Sequence, residues 1–180
     1  MSFQKGVTGY SSATGMVLMS AVTAKEWLRL TPGAIGYPKG PAASVSANGG
    51  GTVQEFSAGT VWQSGAGAFA MGYGAFRTGY LAAGGPAGAW GWPTSAATCG
   101  LVGGGCSMSF QHGTVGYTST VGTVLVPKGA LLDEWNRRGG AGGTLGYPLS
   151  AASTSGNLTT QRFAGGTMTY DAATKTITVR

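Results

Sequence analysis

Charge is what this chain has least of. Only 9% of its 180 residues are Asp, Glu, Lys or Arg, against about 25% in ordinary soluble domains. The acids are Glu26, Glu55, Asp133, Glu134 and Asp171, and His112 is the sole histidine. So small a set leaves little for acid–base catalysis. Asp133 and Glu134 are adjacent, and neighbours on a helix do not face each other. A paired-carboxylate mechanism needs two acids across a cleft. Only a pairing among Glu55, Asp171 and His112 would supply one, and nothing in the sequence brings them together. His112 stands between Phe110 and Gly113 in an expected hairpin turn and reads as surface rather than base. There is no nucleophile elbow, no metal-ligand cluster and no phosphate loop, so neither metal nor cofactor is expected. Gly49-Gly50-Gly51 lacks the lysine a phosphate loop needs.

Runs of one sign are also missing. Eleven basic residues give a net charge of +6, but none forms a run longer than Arg137-Arg138, which excludes a nucleic-acid arm. No long apolar run exists, so no membrane span is expected. The start, MSFQKGVTGY, shows no signal peptide and reads as a trimmed mature domain with an added Met1. Cysteine is down to Cys99 and Cys106, seven apart in CGLVGGGC. That is no zinc spacing. A local disulfide is favoured over two buried thiols; it contributes about 2–3 kcal/mol and points to an oxidising compartment.

What is abundant is glycine, 35 residues, together with five Trp, seven Tyr and six Phe. Both recur at a fixed step. Gly36-Tyr37-Pro38, Gly91-Trp92-Pro93 and Gly146-Tyr147-Pro148 are 55 residues apart each time. Phe3-x-x-Gly6, Phe56-x-x-Gly59, Phe110-x-x-Gly113 and Phe163-x-x-Gly166 follow at steps of 53, 54 and 53. Self-similarity at this period is the signature of a repeat architecture, and glycine at motif positions marks turns rather than disorder.

Each unit reads in four parts. A short helix ends near Trp27, Tyr80 or Trp135, with Thr23, Phe76 or Leu131 four residues earlier on the same face. On the third helix, Asp133 and Glu134 precede Arg137 and Arg138 and give charge support on the exposed side. A glycine stop follows, Gly84-Gly85 and Gly139-Gly140, which calls for left-handed backbone; Thr31-Pro32-Gly33 replaces it in the first unit. Then comes the Gly-aromatic-Pro loop, stiffened because the residue before proline is held extended. Variable connectors, Pro41–Gly51, Thr94–Gly105 and Leu149–Asn157, read as loop. Last is a hairpin around Gly59, Gly113 or Gly166, with third strands at Ala68–Met71, Thr123–Val126 and Thr176–Val179. The reading is one repeat domain over 1–180: a half-unit 1–20 and units of about 21–72, 73–127 and 128–180. Its class is a β-rich α+β repeat, a quasi-symmetric propeller- or ring-like array of short hairpins with about three short helices.

The third copy, Trp135-Asn-Arg-Arg-Gly139-Gly140-Ala-Gly142-Gly-Thr-Leu145-Gly146-Tyr147-Pro148 continuing to Gln161-Arg-Phe163-Ala-Gly165-Gly166, is similar to the LGFP repeat. The resemblance implies an extracellular, non-catalytic module, often appended to enzymes of the actinobacterial-type cell envelope and thought to attach its carrier to wall polysaccharide such as arabinogalactan. It also implies that repeats can arrange as a pseudo-symmetric ring. This sequence departs from the pattern at three places. The first unit lacks the double glycine, Trp90 stands where leucine is usual, and Met108 stands where the other units have Gln54 and Gln161.

Sugar rings dock their C–H faces on flat aromatics and need planar amides or guanidinium groups for their hydroxyls. Candidate platforms are Tyr37, Trp92 and Tyr147 on the stiff loops, Trp62 and Tyr117 on the hairpins, and Trp90 beside Trp92 as an exposed two-tryptophan patch. Trp62 departs from Tyr117 and Tyr170 and reads as specialised. Candidate polar partners are Gln54, Gln63, Gln161 and Arg77. Against this stands the reading that a recurring aromatic is the core between repeats; it is the expectation for Trp27, Tyr80, Trp135 and the four phenylalanines. The expected function is non-covalent attachment to cell-wall polysaccharide of the arabinogalactan or peptidoglycan type, in an extracellular or cell-wall location. The alternative is a structural or protein-binding module that self-associates through an open array edge or packs on a partner enzyme.

Overall fold

Short β-branched runs closed by glycine form the backbone of the molecule. The computed structural model describes residues 2–3, 6–30 and 34–180, with side chains from Gly6 onward; Thr31-Pro32-Gly33 and the side chain of Phe3 lie outside it. The strands are β1 (Ser2–Phe3), β2 (Gly6–Ser11), β3 (Gly15–Met19), β4 (Ala43–Val45), β5 (Gly51–Phe56), β6 (Gly59–Ser64), β7 (Gly67–Gly72), β8 (Thr98–Cys99), β9 (Cys106–Phe110), β10 (Gly113–Thr118), β11 (Gly122–Pro127), β12 (Ser153–Ser155), β13 (Leu158–Phe163), β14 (Gly166–Asp171) and β15 (Thr176–Val179). The α-helices are α1 (Ala21–Arg29), α2 (Ala75–Ala82) and α3 (Ala130–Arg137). Among the described residues all pairings are antiparallel meanders, in one three-stranded sheet (β1–β3) and three four-stranded ones (β4–β7, β8–β11, β12–β15). The fold is therefore β-rich with three helices among the described residues and several small antiparallel sheets.

The connectors differ from the expectation. Each holds an edge strand, β4, β8 or β12, followed by a tight turn into the hairpin. Their Ser- and Ala-rich composition carries no alternation, so the pairing is decided by the neighbouring strand. The hairpin register also corrects one alignment. Gly59, Gly113 and Gly166 each pair with the phenylalanine three residues before. Trp62 is three residues past its glycine, whereas Tyr117 and Tyr170 are four past theirs. Trp62 thus corresponds to Gly116 and Thr169, and it points to the opposite sheet face from the two tyrosines, because a one-residue offset reverses the side.

Contacts divide the chain into two compact units, Met1–Ala96 and Ala97–Arg180. In the first, Met19, Ala24, Trp27, Ile35, Phe56 and Val61 make a core between α1 and the β4–β7 sheet. Ser20 caps α1 by accepting from the Thr23 amide at 3.0 Å. In the second, Val126, Leu131, Leu132, Trp135, Leu145, Tyr147, Phe163 and Met168 form the core under α3. Gly84, Gly85, Gly139 and Gly140 take φ of 94°, 58°, 96° and 60°, the left-handed stop the sequence called for. On α3 a single acid does the pairing: Glu134 accepts from both Arg137 and Arg138 at 2.6–2.7 Å.

Candidate functional site

The Gly-aromatic-Pro loop is built the same way in each repeat. Its glycine has φ of 73°, 69° or 63° at Gly36, Gly91 and Gly146. Its carbonyl accepts from the buried aromatic of the preceding helix: Trp27 Nε1 to Gly36, Tyr80 Oη to Gly91, and Trp135 Nε1 to Gly146, each at 2.8 Å. The helix aromatics are thus core residues whose polar tips fix the loop. The loop is also zipped to the hairpin. Ser57 donates its amide to the Tyr37 carbonyl and Ala164 its amide to that of Tyr147, both at 2.9 Å.

What differs is where the loop aromatic goes. Trp92 is fully buried; its Nε1 donates to the Ala47 carbonyl at 2.9 Å, and its ring lies against Gly51, where an added methyl would meet it at 2.8 Å. Tyr147 is 7% exposed, seated against Gly105 and Gly116, and burial pushes its phenol pKa up. Tyr37 is 42% exposed, with its ring edge-on to Trp27 at 5.9 Å between ring centres.

Most other sequence candidates are inside. The expected exposed patch at Trp90 and Trp92 is corrected by burial: Trp90 stacks on Tyr80 at 5.7 Å, and Trp62 meets the same ring edge-on at 5.2 Å, so these rings fill a core. Gln54 and Gln161 are each 1% exposed. Gln54 Nε2 donates to the Leu18 and Gly40 carbonyls; Gln161 Nε2 donates to those of Leu125 and Ser150. These amides staple a repeat to the last strand of the one before, and methionine at 108 fills the position without either bond. Gln63 accepts from Thr23 Oγ1 at 2.9 Å at the start of α1. Arg77 is held by Thr60 Oγ1 at 2.7 Å and Glu55 at 3.1 Å, with its guanidinium 4.9 Å above the Tyr73 ring. Tyr117 is half-buried on β10 opposite Cys106. The disulfide Cys99–Cys106 is present and joins β8 to β9.

The open tyrosine lines a cleft of about 370 Å³ with Ser11, Thr14, Pro38, Lys39 and Ser57. Thr14 Oγ1 donates to the Pro38 carbonyl at 3.1 Å, and the Tyr37 amide donates to Ser57 Oγ at 3.1 Å. The chemistry is one aromatic face, several hydroxyls and one ammonium. Of the sequence candidates, Tyr37 lines this cleft, and its polar neighbours Ser11, Thr14, Lys39 and Ser57 are not among them because none recurs in every unit. The readable difference is departure from the repeat: Lys39 stands where Thr94 and Leu149 do, and Ser57 where Gln111 and Ala164 do. Among the described residues there is no group of three or more metal-ligating side chains and no helix long and apolar enough to cross a membrane.

A search of curated proteins finds no match. The model of the LGFP repeat matches residues 35–88 and 91–143. These two spans cover more than half of the chain, and each begins beside or within a Gly-aromatic-Pro loop and takes in the hairpin, helix and glycine stop that follow. With the loop, hairpin and helix aromatic recurring in register, the chain belongs to the LGFP repeat family.

Proposed function

We propose that the protein is a non-catalytic module that attaches its carrier to cell-wall polysaccharide, with the Tyr37 cleft as its sugar site. One observation carries this: of the three loop aromatics, Tyr37 alone opens to solvent, 42% exposed against 0% for Trp92 and 7% for Tyr147. A sugar ring lies its C–H face on the phenol while its hydroxyls meet Ser11, Thr14, Ser57 and Lys39. The family membership and the disulfide are compatible with an extracellular or wall location. A propeller- or ring-like arrangement of the repeats belongs to the same proposal, supported by the near-constant step of the Phe-x-x-Gly motif, 53, 54 and 53 residues. Weak affinity at one cleft is sufficient where several modules act together.

The test is retention of the disulfide-intact protein on purified wall fractions beside Tyr37→Ala. The ring is 42% exposed and meets the core edge-on at Trp27, so the variant is expected to fold, which its thermal midpoint checks. Retention by a polysaccharide fraction, reduced at least tenfold in the variant, is expected. Equal retention of both proteins removes the site, and retention of neither removes the function.

A further inference from the structure

We propose that the face of the first sheet formed by Tyr10, Met16 and Leu18 on β2 and β3 is a docking surface for an amphipathic helix of a partner, with the chemistry of α3. The proposal rests on packing and is independent of the wall-binding reading above. Tyr10 pairs with Met16 and Thr8 with Leu18 across the two strands, so the four side chains share one face. Three of them are large apolar residues open to solvent: Tyr10 is 65% exposed, Met16 73% and Leu18 57%. Val17 and Met19, which alternate with them, are buried on the other face, where Met19 joins the core with Trp27. Single exposed apolar side chains are ordinary, but adjoining ones on one face mark a contact site.

The repeat itself shows what covers this face. Counting from the turn glycines Gly6, Gly59 and Gly166, Tyr10 corresponds to Gln63 and Tyr170. The strand pairings then match Met16 with Ala68 and Ile177, and Leu18 with Ala70 and Val179. In the first unit Ala68 and Ala70 pack on the core that Ala24 and Trp27 of α1 enter. In the second unit Tyr170, Ile177 and Val179 pack on the core that Leu131, Leu132 and Trp135 of α3 enter. Both faces are thus finished by a helix. Tyrosine, methionine and leucine match the second of these faces in size and the first poorly, which selects the α3 type. An acid beside the aromatic belongs to the same chemistry: Glu26 stands before Trp27 and accepts from the Ala70 amide at 3.1 Å, and Glu134 stands before Trp135. The Leu18 carbonyl accepts from Gln54 of β5 at 3.2 Å, on the open edge of β3. The two polar groups of one residue in an antiparallel strand point to the same side, so the Leu18 amide is presented to a carboxylate as that of Ala70 is. No charged side chain stands between Gly6 and Met19. Apolar packing and this one hydrogen bond therefore select the partner, rather than opposite charge.

The probe is a peptide of residues 128–141, held helical by a hydrocarbon staple between positions 133 and 137, both exposed in the protein; a free helix this short is marginal in water. Hydroxyl-radical labelling of the disulfide-intact protein, mapped by mass spectrometry, reads the face, with Tyr73, 51% exposed, as internal standard. The peptide is expected to lower labelling of Tyr10 and Met16 at least threefold and to leave Tyr73 unchanged. The same peptide with Leu132→Asp and Trp135→Asp is expected to protect neither residue, and a Met16→Asp protein to lose protection at Tyr10. Glu134→Gln in the peptide is expected to raise the concentration needed at least twofold; no change strikes the acid from the description of the partner. Labelling of the wild-type protein that stays the same up to about 1 mM peptide overturns the proposal. Equal protection by the Asp-bearing peptide overturns the helix as occupant, because the contact then does not use its apolar stripe. Protection that grows with protein concentration in the absence of peptide assigns the face to a second copy of the chain and overturns the proposal too.

Discussion

The two units solve one packing problem with different bonds. In Met1–Ala96 the turn ahead of the hairpin is pinned by an indole N–H from Trp92; in Ala97–Arg180 the same turn is pinned by a disulfide, and the ring beneath it is a tyrosine whose hydroxyl is unbonded. The difference teaches that the loop aromatic is a structural position first, whose cover is built locally by whatever covalent or hydrogen-bonding chemistry the repeat carries. Tyr37, at 42% exposed, is the loop ring that the proposed function uses.

Breaking what the units share has the largest effect. Trp135→Ala removes a ring packed against Phe163 and the bond to the Gly146 carbonyl and is expected to cost about 3–5 kcal/mol, read by urea unfolding of the second unit. A loss under about 1 kcal/mol contradicts the core role. Next comes the feature that distinguishes them. Cys99→Ser/Cys106→Ser lowers the stability of the second unit by about 2–3 kcal/mol and leaves the first unit's transition in place. Simultaneous loss of both transitions by calorimetry shows that the units are not energetically separate.

Gln54→Met copies position 108 into the first unit. It removes the two amide bonds while keeping volume, and about 1–2 kcal/mol is expected to be lost; a neutral change shows that the staple contributes packing alone. The smallest effect is electrostatic. Hydrogen bonds from Arg137 and Arg138 hold the Glu134 carboxyl down to about 2, below its ordinary 4.5. The contribution is therefore present above about pH 4.5 and lost as pH falls toward 2. Because Arg137 is 68% exposed, solvent screening leaves roughly 0.5 kcal/mol. Glu134→Gln flattens the acid limb of the second unit by that amount, and an unchanged limb rules the pair out as its source.

The period made much of the fold legible. Helix positions, glycine stops, third strands and the disulfide follow from residues whose local chemistry admits few alternatives, such as paired glycines after an aromatic-bearing helix. Edge strands were hidden because Ala43–Val45 and Ser153–Ser155 carry no alternation of their own. Trp62 was aligned by residue type, not by counting from its turn glycine, and one residue of offset put it on the wrong face. The burial of Trp90 and Trp92 depends on bare backbone at Gly51 and on Tyr80, contacts that only the fold supplies. Gln54 and Gln161 had a readable signal: they stand two before a core phenylalanine, so strand alternation turns both residues inward.

The central claim is that Tyr37 is open for a ligand while its counterparts hold the fold. Tyr37→Ala and Trp92→Ala, measured side by side for thermal midpoint and for retention on wall polysaccharide, test it directly. The account predicts that Tyr37→Ala lowers its midpoint by no more than about 4 °C and loses retention at least tenfold, whereas Trp92→Ala lowers the midpoint by more than about 8 °C. A Tyr37→Ala protein that binds like wild type, or a Trp92→Ala protein that loses binding with its midpoint intact, contradicts it.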